Sequence, residues 1–162
     1  MVIHTEASNL IVALDPTIDW GKINSKDEAS FIELVQRLDA QLENDLETLK
    51  GLGIIVKLNT YIRLLGLARV VELLVQYNLF LFADWKLFDI QDTVEKDLRL
   101  LGLSKVARIV TIAANLKPEV YTSASLLLPN CAIAPVGPLT DLQDPDFQFW
   151  RWTADSESAV TR

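Results

Sequence analysis

The fold hangs on Leu79-Phe80-Leu81-Phe82-Ala83-Asp84-Trp85-Lys86-Leu87-Phe88-Asp89-Ile90. Phe80, Phe82, Trp85 and Phe88 crowd into this stretch, and aromatic rings bury more apolar area than other side chains. We read them as the aromatic heart of a core, at a point where the chain turns between helices. They are also the candidate lining of a pocket for an apolar small molecule. On this reading the chain is all-α.

To the N-terminal side, Ser25-Lys26-Asp27-Glu28 has the form of a capping box and announces a helix. Phe31, Leu34, Val35, Leu38, Leu42, Leu46 and Leu49 then recur at spacings of three and four. Glu33, Arg37, Asp39, Glu43, Asn44 and Glu47 fill the opposite face, so the segment is amphipathic, and Gly51 and Gly53 end it. Residues 61 to 82 are mostly apolar, but Arg69, Glu72, Gln76 and Asn78 interrupt them. Charges at mid-bilayer are costly, so a buried central helix accounts for this segment better than a membrane span.

Residues 63 to 70 (Arg-Leu-Leu-Gly-Leu-Ala-Arg-Val) and 99 to 106 (Arg-Leu-Leu-Gly-Leu-Ser-Lys-Val) agree at six of eight positions, 36 residues apart. A helical-hairpin repeat would produce such an offset. Each Leu-Gly-Leu is then a joint between helical segments. The second copy is capped by Thr93 and carries Val106, Ile109, Val110, Ala113 and Leu116 as its apolar face, with Pro118 as a stop. Pro118, Pro129, Pro135, Pro138 and Pro145 leave little room for a long helix beyond residue 117.

The expected architecture is therefore a bundle or short helical-hairpin array of four to six helices. It forms a single domain over residues 1 to 152, with a helical body from about 25 to 117 and a proline-rich, mostly irregular arm from 118 to 152. Residues 153 to 162 are expected to be a disordered tail.

Composition limits the chemistry. The chain has 162 residues, 22 acidic against 15 basic side chains, one His and one Cys. Cys131 cannot form an internal disulfide, and a single imidazole with a single thiol offers no zinc or iron–sulfur cluster. His4 lies in a loose N-terminal segment, a poor place for a catalytic triad. A net charge of −7 argues against direct binding of nucleic acid, whose affinity comes from clustered cations. Asp84, Asp89, Asp92, Glu95 and Asp97 could cradle Mg²⁺, but carboxylates at a helix start explain them as well. The sequence names no catalytic residue, no cofactor site and no metal site, and leans away from an enzyme.

The basic side chains Arg63, Arg69, Arg99, Lys105 and Arg108 fall in the two similar segments and form a candidate anion or docking face. Phe147, Phe149, Trp150 and Trp152 form a candidate partner-binding cluster near the end. The expected function is a non-catalytic interaction or scaffold protein acting through an apolar helical face or the aromatic arm. An acidic decoy of nucleic acid and a bundle-core pocket for an apolar molecule are the alternatives. The expected partner is another protein or a second copy in a homodimer, with no membrane involved. With no signal-peptide pattern and a free Cys131, the cytoplasm is the expected compartment.

Overall fold

A computed structural model of the chain describes residues 10–19 and 27–137. Strands and helices alternate along it: β1 (Ile11–Ala13), α1 (Glu28–Thr48), β2 (Ile55–Leu58), α2 (Thr60–Leu65), α3 (Leu67–Tyr77), β3 (Phe80–Leu87), α4 (Gln91–Ser104), β4 (Ala107–Ala113), α5 (Pro118–Leu127) and β5 (Ala132–Val136). The five strands form one sheet in the order β1-β2-β3-β4-β5, and every neighbouring pair is parallel. The chain is α/β, and the all-α bundle is wrong. Crossovers between parallel strands are right-handed, so strands laid down in sequence order put all the helices on one face. Consecutive units of a (β/α)8 barrel have this order.

The errors have physical causes. Strands of a parallel sheet are buried on both faces and read as continuous apolar runs without alternation. Phe80 to Leu87, expected to be a turn, is the longest strand among the described residues, and residues 107 to 113, expected to be helical, are a strand rich in the β-branched Ile109, Val110, Thr111 and Ile112. Pro118 is no stop. It occupies the first turn of α5, where its missing N–H costs nothing. Pro135 lies in β5, which has a strand neighbour on one side only among the described residues, where proline is tolerated. The arm predicted to be irregular thus contributes a helix and a strand.

The predicted first helix is present. Asp27 caps it, accepting from the Ala29 amide at 3.1 Å and the Ser30 hydroxyl at 2.6 Å. Leu34, Leu38, Leu42 and Leu46 form its buried stripe. Ser25 lies outside the described residues.

The two Leu-Gly-Leu segments are not structural copies. Gly66 separates α2 from α3 at φ +82°, whereas Gly102 sits inside α4. There a Cβ would meet the Leu127 carbonyl oxygen at 3.0 Å. The first copy opens a helix and the second leads into β4.

The core lies between sheet and helices. Val56, Leu58, Leu81, Ala83, Val110 and Ile112 point into it with the α1 stripe, Val70, Leu73, Leu74, Val94 and Leu98. Successive side chains on a strand alternate, so Ile55, Lys57, Phe82, Asp84, Ile109 and Thr111 occupy the opposite face of the sheet. No helix among the described residues is long and apolar enough to cross a membrane.

Candidate active site

On that second face, toward the carboxyl ends of the strands, three strands bring polar groups together. Asp84 of β3 is buried, and both its carboxylate oxygens are engaged. Lys86 Nζ lies 2.9 Å from Oδ1, and Lys57 Nζ, from β2, lies 3.5 Å from Oδ2. The Thr111 hydroxyl, from β4, donates to Oδ1 at 3.1 Å. Two ammonium groups therefore bracket one carboxylate, leaving a net positive site in an acidic protein. Burial pushes the Asp84 carboxyl up. The hydrogen bond and charge of Lys86, with Thr111 and Lys57, outweigh burial and hold it below its usual value.

The backbone is bent to make this arrangement. The register between β3 and β4 shifts between Ala83 and Leu87, and Lys86 takes the left-handed conformation at φ +51°. A non-glycine residue there costs on the order of 1 to 3 kcal/mol and persists where its surroundings enforce it. They do so from two sides. The Lys86 amide donates to Thr111 Oγ1 at 2.7 Å, and Arg63 Nη2 donates to the Trp85 carbonyl at 3.3 Å. Irregular strand geometry of this kind re-aims a side chain. Here it lets Asp84 and Lys86, two apart in sequence, meet at one point.

Asp89 follows β3 and Asp15 follows β1, so both stand at the same edge of the sheet. The Ile90 amide donates to Asp89 Oδ1 at 2.7 Å. Tyr61, fully buried at the start of α2, has no hydrogen-bond partner for its hydroxyl among the described residues. Burial, then the charges of Asp45 and Asp15, push that phenol up to about 12.

The residues singled out from sequence are scattered. Phe80 is buried and Phe82 half-buried on the second face, Trp85 packs against the core, and Phe88 is exposed beyond the strand. Phe80, Phe82 and Trp85 lie along β3, with Trp85 on the opposite face from the two phenylalanines, and Phe88 follows the strand. Arg69 is held by Asp39 at 2.7 and 2.9 Å and by Glu72 at 3.0 Å. Arg63 braces Trp85 and bonds Asn59, and Arg99 is exposed on α4. Lys105 and Arg108 share a cleft elsewhere. Phe147, Phe149, Trp150 and Trp152 lie outside the described residues.

Sequence reasoning missed Lys57 and Lys86 and took Asp84 and Asp89 for a solvated acidic group. The available signal was the spacing Asp84-x-Lys86-x-x-Asp89 directly after an apolar run, with Lys57 after a second such run, Ile54-Ile55-Val56. Charged residues at the carboxyl ends of parallel strands mark the functional edge of this architecture.

Residues 8–125, more than two thirds of the chain, match the model of the orotidine 5'-phosphate decarboxylase / HUMPS family. The chain belongs to that family. No curated protein sequence matches it. Membership of the orotidine 5'-phosphate decarboxylase / HUMPS family, with its parallel α/β fold, overturns the expectation of a non-catalytic scaffold, and the matched region contains every residue of the Lys57–Asp84–Lys86–Thr111 cluster.

Proposed function

We propose that the chain is a decarboxylase acting on a carboxylated pyrimidine nucleotide, with orotidine 5'-phosphate as the parent substrate. One observation carries this reading: a single buried carboxylate, Asp84, bracketed by the ammonium groups of Lys57 and Lys86 at the carboxyl ends of the strands.

The chemistry follows from the charges. Loss of CO2 breaks a carbon–carbon bond and leaves its electron pair on the ring carbon. A positive group fixed beside that carbon stabilises the developing carbanion more than it stabilises the ground state. Lys86, aimed by the bend and anchored on Asp84, is placed to give that carbon its proton. Lys57 holds the second oxygen of Asp84 and balances that carboxylate's charge once Lys86 has given up its proton. Asp84 fixes both ammonium groups, and its own negative charge disfavours a substrate carboxylate beside it more than the neutral CO2 that leaves. The free Cys131 suits a reducing compartment, and we assign the activity to the cytoplasm on that ground.

The test is turnover of orotidine 5'-phosphate by the full chain, followed as CO2 release and appearance of the decarboxylated nucleotide. Wild type is expected to turn over, and Lys86→Ala to lose on the order of 10² to 10⁴ in kcat, the usual contribution of a positioned acid. Absence of turnover by the folded wild-type chain would overturn the substrate assignment. Unchanged kcat in Lys86→Ala would overturn the role of Lys86.

A further inference from the structure

A cleft of about 680 Å³ opens at the opposite edge of the sheet from Asp84, where β4 and β5 begin. Its walls are the ends of α4 and α5, and Arg108, Lys105 and Cys131 face it. The volume is within the range of small-molecule sites. None of the residues around it belongs to the Lys57–Asp84–Lys86 cluster.

Arg108 is built into this place. Its guanidinium carbon lies 4.0 Å from the centre of the Phe80 ring, and Nη1 donates to the carbonyls of Lys105 at 3.1 Å and Ala107 at 3.0 Å. These contacts fix the group and leave Nε and Nη2 without a hydrogen-bond acceptor among the described residues. Among the described residues neither Arg108 nor Lys105 forms an ion pair, in contrast to Lys57, Arg69, Lys86 and Lys96. Burial lowers the guanidinium's affinity for its proton. The Cys131 thiol, which faces the same cleft, is pushed up to about 11 by burial and stays neutral at physiological pH. A half-buried cation without a counter-charge among the described residues is unfavourable by itself and becomes favourable when an anion pairs with it.

We infer that this cleft binds a small organic anion, its carboxylate or phosphate against Arg108 and Lys105 and its apolar body against Leu101, Leu127 and Leu128. The contacts at Phe80 hold the guanidinium in position before the ligand arrives, which lowers the ordering cost of binding. This site stands apart from the decarboxylase reading and does not depend on it.

Cys131 is the only cysteine in the chain and faces the cleft, so its alkylation by iodoacetamide reports occupancy directly. Phenyl phosphate, inorganic phosphate and phenol are the probes, added to the full chain. Phenyl phosphate is expected to slow alkylation severalfold and saturably, inorganic phosphate to compete with it, and phenol at equal concentration to have little effect. Arg108→Gln is expected to weaken phenyl phosphate about tenfold or more by calorimetry, the value of a charge-assisted bond. If that variant fails to fold, the wild-type alkylation series decides alone. No protection by phenyl phosphate at millimolar concentration, equal protection by phenol, or an unchanged affinity in folded Arg108→Gln would each overturn the assignment.

Discussion

The Lys86 amide donates to the Thr111 hydroxyl over 2.7 Å, and the same hydroxyl donates to the Asp84 carboxylate over 3.1 Å. One buried oxygen on β4 thus holds both the bent backbone and the carboxylate of β3. Replacing it with an isosteric methyl leaves the Lys86 N–H unpaired in a buried place. Thr111→Val is expected to lower unfolding stability by about 1 to 3 kcal/mol, and Thr111→Ser to recover most of it. Denaturant unfolding of the two variants checks this. On the proposed decarboxylase reading, the rate is expected to follow the same order, since Thr111 holds the backbone of Lys86.

Two carboxylates give opposite pH signatures. Asp84 is held below its usual value of 3.8, so its contribution to stability is fully present above that value. It is lost as pH falls through the lowered one. Asp84→Asn is expected to flatten the stability curve in that acid window. Asp97 is raised above 3.8 by burial and by the charge of Asp89, so its ionised form is penalised in the folded state. The penalty develops as pH rises from 3.8 through the raised value. Asp97→Asn is therefore expected to raise the melting temperature at neutral pH, with the gain vanishing below 3.8.

Gly66 and Gly102 sit in matching sequence and fail for different reasons when given a side chain. Gly66 has φ +82° and ψ 153°, a region open almost solely to glycine, with free space around it. Gly66→Ala and Gly66→Asn are both expected to cost about 1 to 3 kcal/mol through backbone strain. Gly102 lies against the Leu127 carbonyl and Leu128 Cδ2, at 3.0 and 3.2 Å from the Cβ it lacks. Gly102→Ala is expected to cost about 1 to 3 kcal/mol in overpacking, less the roughly 1 kcal/mol that alanine gains in a helix. Because the closer contact is backbone, adding Leu128→Ala should not restore stability, which a double-variant unfolding series would show.

Arg69 bridges α3 to α1 through both oxygens of Asp39, and Glu72 of its own helix joins the pair. About a third of the Arg69 side chain is exposed, so water and salt weaken the pairing. Arg69→Met is expected to cost no more than about 1 kcal/mol at low ionic strength and less at high salt, measured by denaturant midpoints. A larger, salt-independent loss would mean that the network is stronger than its exposure allows.

Some of the molecule is legible without coordinates. The period of four in Leu34, Leu38, Leu42 and Leu46 places α1 and its buried face, because a helix reads out its environment through local spacing. The lack of cysteine and histidine clusters is likewise a matter of composition. The candidate site was legible only in fragments. Asp84 and Asp89 stand out as acidic residues, while nothing in local spacing joins Lys57 and Lys86 to them.

What the sequence determined by itself was the set of helical faces, the glycine and proline punctuation, and the charges. Whether the apolar runs at 55–58, 80–87 and 107–113 were helix or strand was a tertiary decision, since a strand buried on both faces shows no alternation. The same holds for the site. Lys57, Asp84 and Thr111 are 27 residues or more apart, and they meet only because parallel pairing puts their strands side by side in register. Lys86 joins them through a bend in β3 braced from β4, a conformation its own residues would not adopt without the neighbouring strand.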